Sequence, residues 1–404
     1  MDIRNDAGQD TSMSNAEVKA QMQAENAPIN WTNMLLFSIT PACALTLVPL
    51  YGYFYGYDLY EWVVFVLMMG FCGLSITAGY HRMWSHKTYK AHPLLRFIFA
   101  LGGAMALQND IFHWASDHRR HHQFTDNNDR DPYSAGRGFW FSHMGWILRS
   151  YKSGRRDFSN IKDLQRDPIA VWQHKHYLKL VLLMNIGLPA LLGWLHGDII
   201  ASLLLAGLLR LVLSQHVTWL INSIAHMWGR QTYSDKHSAR DNPVLALITY
   251  GEGYHNYHHT FQWDYRNGIR WWHYDPTKWM IRLLSFVGLT SELKRCNPHD
   301  VEKARLEMQY RHATEKCNLL NLPESWRQRL EAEYEQLQQL LQQWSEHRQA
   351  WYEAKGKRIQ ETLAHWEHLQ LRDKYRELHF QLKIQKRRWQ EMVRHLSQPA
   401  AAAA

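Results

Sequence analysis

The sequence predicts an all-α membrane protein with four transmembrane helices, a cytoplasmic helical cap and a C-terminal helical hairpin. Three observations lead there. Apolar residues, 46% of the 404, gather into four nearly uncharged stretches, each about the 20 residues a bilayer crossing needs. Histidines, 25 in all, cluster where those stretches end. From about Val301 the composition turns to Gln, Glu, Arg, Leu and Trp with few glycines or prolines, the signature of long helix.

Residues 1–29 are polar, carry both charge signs and lack an apolar h-region, which predicts a disordered cytoplasmic tail and not a signal peptide. Residues 30–300 form the membrane domain. Its spans fall at about 34–55, 62–80, 180–196 and 199–221. The first two are separated only by the acidic link Asp58 to Glu61, and the last two by His196 to Asp198. The uncharged run Phe97 to Asn109 has 13 residues, too short to cross, and reads as a buried or interfacial helix. Arg210, inside the fourth span, is expensive to expose to lipid and is expected to face the bundle interior.

With four spans, both termini and the loop after the second span share one side. Residues 81–176 of that loop carry 15 Lys/Arg against 8 Asp/Glu, whereas the two opposite links carry acids and no Lys or Arg. The positive-inside rule makes the large side cytoplasmic, so much of the net charge of +9 is topology and a nucleic-acid partner is not called for. Cys43, Cys72, Cys296 and Cys317 stand far apart with no CxxC pair, which excludes a disulfide scaffold and a thiolate zinc or iron–sulfur loop.

Metal ligation therefore falls to histidine. Three clusters stand out: His81 with His86, His118 with His121 and His122, and His255 with His258 and His259. In HxxHH the residues at i, i+3 and i+4 share one helical face, so their imidazoles converge. His226 follows Asn222 by one turn at the end of the fourth span. Nine neutral imidazoles supply two metals with four or five nitrogens each, and the Asn222 amide can hold a water. The topology sets all of them at the cytoplasmic boundary.

The segments HRMWSHKTYKAHP, QNDIFHWASDHRRHHQFTD, NSIAHMWG and GEGYHNYHHTF resemble the integral-membrane acyl-CoA desaturases of the stearoyl-CoA desaturase type over about residues 35–295. The resemblance implies that the nine histidines ligate two non-haem irons and that Asn222 binds through water. It implies oxygen-dependent insertion of a cis double bond at carbon 9 of a saturated acyl chain, with electrons from an external donor protein. Gln108, Trp114 and Thr218 then line the kink of an acyl tunnel, Trp146 packs along it, and Asn109 and Asp117 contact the CoA headgroup. The membrane is a bacterial inner membrane, or the endoplasmic reticulum in a eukaryote.

Two departures concern the headgroup. The family's arginine before Asp117 is Ser116, and a downstream Arg-Lys pair is Ser150-Tyr151. Basic side chains recognise CoA phosphates. Arg149, Lys152, Arg155 and Arg156 are near enough in sequence to substitute, and an acyl carrier protein or a lipid ester stays open as the acyl donor.

Over 301–398, Leu330, Tyr334, Leu337, Leu341, Trp344 and Trp351, then Leu371, Tyr375, Leu378, Leu382 and Trp389, follow helical steps on either side of Gly356, which predicts the hairpin. No HPGG haem motif is present in the sequence. The competing readings are a membrane hydroxylase with similar histidine boxes, a divalent-metal transporter and a membrane-tethered coiled-coil scaffold. A transporter should hold its ligands at mid-bilayer, and a scaffold needs no histidine pattern.

Overall fold

Side-chain caps set where the helices begin. Asp167-Pro168, Asn242-Pro243, Asp275-Pro276 and Asn297-Pro298 each join an Asx cap to a proline in the first turn, where its missing N–H costs nothing. Asp58 and Glu61 form a reciprocal capping box. Those signals organise the computed structural model, which describes residues 27–356 and 362–397. In order the elements are α1 (Trp31–Phe54), α2 (Leu59–Ser85), β1 (Lys90–Ala91), α3 (Pro93–Met105), α4 (Ile111–Gln123), α5 (Pro168–His196) and α6 (Ile199–Met227). They continue as α7 (Pro243–Ile248), α8 (His255–Thr260), α9 (Pro276–Phe286), β2 (Thr290–Ser291), α10 (Pro298–Leu319), α11 (Glu324–Gly356) and α12 (Thr362–Ser397).

Helices α1, α2, α5 and α6 are long and apolar enough to cross a membrane, and the chain is an integral membrane protein. At 24 to 29 residues they reach beyond the apolar stretches of the sequence. The reason is local: Asp167-Pro168 starts α5 twelve residues before the uncharged run that opens at Leu180, and the ends of α2 and α6 continue as buried polar turns. From Ser75 to Ser85 α2 widens into a π-helix whose residues are all buried, a deformation common at functional sites. Gly197, at φ +105, ends α5 in the left-handed conformation and lets Asp198 cap α6 at once.

Residues 1–26 of the expected tail lie outside the described residues. Residues 27–30 are held in extended pairing: Asn30 N–H donates to Leu148 O (2.9 Å) and Ser150 N–H to Pro28 O (2.8 Å). The main core gathers α2, α3, α4 and α5 around Met68, Tyr80, Phe99 and Ile111. Arg210 is fully buried and donates to Met105 O (2.8 Å), Ala206 O (3.0 Å) and Asn185 Oδ1 (2.7 Å). Its partners are carbonyls and an amide, so it ties the end of α3 to α5 and α6.

In the C-terminal region α11 and α12 pair antiparallel, with Trp344 near Tyr375 and Tyr334 near Trp389. A third helix, α10, completes the unit through Leu306, Tyr310, Ala313 and Cys317, which the two stripes by themselves do not predict. The chain turns between α10 and α11 at Asn321, where φ is +48, ahead of Pro323.

Candidate metal centre

Four elements bring the nine histidines together. His81 lies in the π-helical end of α2 with His86 just after it, His118, His121 and His122 lie on α4, His226 on α6, and His255, His258 and His259 on α8. They form two groups: His81, His86, His118, His122 and His258 in one, and His121, His226, His255 and His259 in the other. Each HxxHH segment serves both. Residues four apart stay together because they are about 40° apart around a helix, while the residue at i+3 falls to the other side of the first and joins the opposite group.

In the first group the Nε2 atoms of His81 and His258 are 2.9 Å apart, those of His86 and His118 2.8 Å, and those of His258 and His122 3.0 Å. In the second, His121 and His259 are at 3.2 Å, His255 and His226 at 3.1 Å, and His259 and His255 at 3.1 Å. Two nitrogens bound at right angles about 2.1 Å from one ion stand about 3 Å apart, so the spacing fits a transition metal in each group. An all-imidazole donor set suits iron, zinc, copper or nickel and not calcium or magnesium.

In four of the rings, those of His81, His121, His226 and His118, the opposite nitrogen is met by a protein oxygen that can fix the tautomer. Glu252 Oε2 is 2.9 Å from His81 Nδ1, Asp131 Oδ1 is 3.0 Å from His121 Nδ1, and Ser238 Oγ, itself bound to Asp126, is 2.7 Å from His226 Nδ1. Tyr133 OH is 3.3 Å from His118 Nδ1. Burial, with the neighbouring imidazoles, holds His86, His118, His122, His258 and His259 well below the ordinary histidine value and brings His255 down to about 3. Neutral rings are what a cation needs. Burial would lift the Glu252 carboxyl, but His81 and Arg82 outweigh it and bring it down to about 2.

A cavity of about 310 Å³ runs beside the histidines. Gln108, Asn109, Trp114, Asp117, Trp146 and Thr218 all line it, and so do His81, His118, His121, His255 and Asn222. Gln108 Nε2 donates to Thr218 Oγ1 (2.8 Å), joining the α3–α4 link to α6 across the cavity. The Trp114 indole N–H reaches Gln108 Oε1 at 3.4 Å, and its ring stacks on His118. Leu107 and Asn109, at φ +50 and +73, make the sharp bend that turns Gln108 inward.

Residues 60–285 match the model of a family described as fatty acid desaturase. The chain belongs to that family. It is 39% identical over 302 residues to acyl-CoA desaturase 1 of Saccharomyces cerevisiae, covering 72% of this chain, and 41% identical over 278 residues to a probable acyl-CoA desaturase of Schizosaccharomyces pombe, covering 68%. Each of these matches spans 57% of the yeast protein's length. Stearoyl-CoA desaturase of Bos taurus is 41% identical over 273 residues, covering 66% of this chain and 74% of that protein.

The four basic residues near the headgroup end are placed differently from one another. Arg149 donates to Ala27 O (2.8 Å) and so ties down the N-terminal segment, while Lys152, Arg155 and Arg156 remain exposed. Arg120, unmarked in the sequence reading, reaches Asp117 Oδ1 (2.5 Å) and Arg155 O (2.7 Å). Burial lifts the Asp117 carboxyl to about 6 against the pull of Arg120. The carboxylates behind the ligands, Glu252, Asp131 and Asp126, also went unmarked. Glu252 stands inside GEGYHNYHHTF and Asp131 beside Pro132, but nothing in spacing alone says which imidazole an acid will meet. The wall supplied by α1, with Leu36 and Phe37, was equally silent.

Proposed function

We propose that this chain is a membrane Δ9 desaturase of saturated fatty acyl thioesters, with a di-iron centre in the two histidine groups. The observation that carries the reading is the cavity itself: a largely apolar channel whose wall includes candidate ligands of both groups. The names of the relatives, acyl-CoA and stearoyl-CoA desaturases, support acyl-CoA as the thioester. In the overall reaction two C–H bonds of adjacent methylenes break and a carbon–carbon double bond forms, while dioxygen, two electrons and two protons yield two waters. The electrons come from an external donor protein.

When bound, the irons supply the dioxygen chemistry that an unactivated methylene requires. His81, His86, His118, His122 and His258 would hold one, and His121, His226, His255 and His259 the other, with Asn222 acting through a water. Ile76, Leu178, Trp219 and Ile221 give the acyl chain an apolar lining and keep bulk water away. The Gln108–Thr218 bond, buttressed by Trp114, turns the chain so that one pair of methylenes faces the histidines. Asn109, Asp117, Arg120 and Arg156 surround the headgroup end, and Trp146 borders the channel. Glu252, Asp131 and Ser238 keep protons on Nδ1 and leave Nε2 free. The charge bias of residues 81–176 supports a cytoplasmic active site and cytoplasmic termini.

Fatty-acid analysis of cells expressing the chain and its His258→Ala variant tests this reading. We expect cis-9 products from 16- and 18-carbon chains with the former and none with the latter. A double bond elsewhere, a hydroxylated product, or equal products from both would refute it.

A further inference from the structure

Outside the two histidine groups, Asp110, His113 and His174 stand together, and none of them lines the channel. Asp110 caps the start of α4, His113 follows it by three residues, and His174 comes from the second turn of α5. One nitrogen from each ring and one carboxylate oxygen all lie within 4.8 Å of one another. His113 and His118 are five residues apart on α4 and therefore about 140° apart around it, which turns this group away from the candidate di-iron centre.

Asp110 divides its carboxylate between two tasks. Oδ1 accepts the Phe112 and His113 N–H groups (2.9 and 3.2 Å), as a cap does. Oδ2 is left for the rings, 2.7 Å from His113 Nδ1 and 3.1 Å from His174 Nδ1. Burial would raise this carboxyl, but His113 outweighs it and holds it below its ordinary value, so the group is an anion at neutral pH. The two rings do not meet it alike. His174 Nδ1 is buried and makes no hydrogen bond although Oδ2 is so near: the distance suffices and the direction fails. A ring nitrogen lying beside a carboxylate oxygen and not aimed at it is arranged as a co-ligand of one ion, whose ligand atoms at about 2.1 Å in tetrahedral geometry stand about 3.4 Å apart. A buried nitrogen without a partner is costly, and a cation shared with the carboxylate removes that cost. The rings are also held in place by apolar neighbours, since Phe112 stacks on His174 (centroids 4.7 Å) and Phe158 meets His113 edge-on (4.8 Å). The His174 side chain is 36% exposed, which leaves the group open to an ion arriving from solvent with a water as its fourth ligand.

We infer that Asp110, His113 and His174 form a third metal site, separate from the two histidine groups, for a divalent transition ion of the zinc class. Two imidazoles, one carboxylate and a water suit such an ion, and the nitrogens disfavour calcium and magnesium. The ion fastens the start of α4 to α5. Because α4 carries His118, His121 and His122, the site braces the helix that presents three of the nine candidate ligands.

Equilibrium dialysis of the detergent-purified full chain against buffered zinc, followed by elemental analysis, tests the site. His174→Gln keeps the size and polarity of the side chain and loses a strong ligand, while Asp110→Asn keeps the cap and loses the anion. At free zinc that saturates the parent we expect each variant to hold one ion per chain fewer. A difference is read, so the result does not depend on what fills the histidine groups. Equal zinc in the parent and both variants would overturn the inference and leave a cluster held by hydrogen bonds alone. Melting temperatures separate binding from folding. With a chelator present the parent and His174→Gln should melt together, and added zinc should raise the parent further, because an ion bound only by the folded state stabilises it by mass action. An equal rise would count against the site. Should neither variant be purified, anomalous diffraction at the zinc edge from the parent decides: a peak between Asp110 and His174 supports the site, and none there refutes it.

Discussion

In the cap, Arg82 is fully buried between Glu252 and Asp275, Glu252 also reaches His81 and Asn267, and nine histidines from four separate elements face one another. In α10–α12 the interior is Leu306, Leu330, Leu337, Leu378 and Trp389, drawn from three helices that follow one another directly in the chain. Both regions are helical, yet the first is held by long-range polar contacts and the second by apolar stripes. The difference teaches what each can tolerate. A buried charge left unpaired costs about 3–5 kcal/mol, whereas similar apolar side chains exchange for less than about 1.5 kcal/mol. The cap should be brittle and the C-terminal unit forgiving.

The comparison breaks first at the ligands. His258→Ala should empty the first group and His121→Ala the second, each lowering the metal content of purified protein by one ion or more and taking turnover below detection; elemental analysis beside a product assay checks both. Removal of a ligand's partner comes next. Glu252→Gln leaves His81 without its carboxylate and Arg82 with that of Asp275 alone, and metal affinity should fall about 10- to 100-fold, read by chelator titration.

A third change sharpens the contrast from the other side. Trp389→Ala removes a buried ring from the core of α10–α12 at a cost of about 3–5 kcal/mol. Limited proteolysis should then cut within 298–397, while the metal content stays that of the parent. The contacts that join the two regions are few: Val301 packs with Tyr257 and Phe261, and Arg311 pairs with Asp235. Metal loss in this variant would show that α8 depends on α10 for its position.

The smallest effect concerns acid. Burial would raise the Asp163 carboxyl, but its bonds to Arg119 and Lys87 hold it well below the usual carboxylate range. A depressed native value contributes stability above the unfolded pKa of about 3.9, and that contribution is lost as pH falls through the native value. Because Asp163 is a third exposed, solvent weakens the pair and the effect is modest. The gap in melting temperature between the parent and Asp163→Asn at pH 7 should narrow once the pH is taken below the unfolded value of about 3.9, and a gap that stays the same would show the brace to be inert.

Some of this could be read in the chain. The four spans follow from uncharged runs, because a bilayer leaves no other solution for 20 apolar residues. The gathering of the histidines follows from HxxHH, because a helix repeats every 3.6 residues. Residues 168–179 read as loop until Asp167-Pro168 is recognised as a cap, and α10 hides in a polar composition with a thin stripe.

By itself, then, the sequence determined the local and periodic features: helix starts, apolar faces, the crossing segments and the convergence of imidazoles within each box. Each depends only on neighbours a few residues away, whose geometry the helix dictates. Only the tertiary structure decided how the boxes divide into five and four, which acids stand behind His81 and His121, that Arg210 answers to the Met105 carbonyl and the Asn185 amide, and that the Tyr250 hydroxyl reaches Met69 O. Those contacts join residues 10 to 181 positions apart, and no short-range rule links them; they exist because packing the helices brings them to hydrogen-bonding distance where water is absent and an unpaired group would be costly.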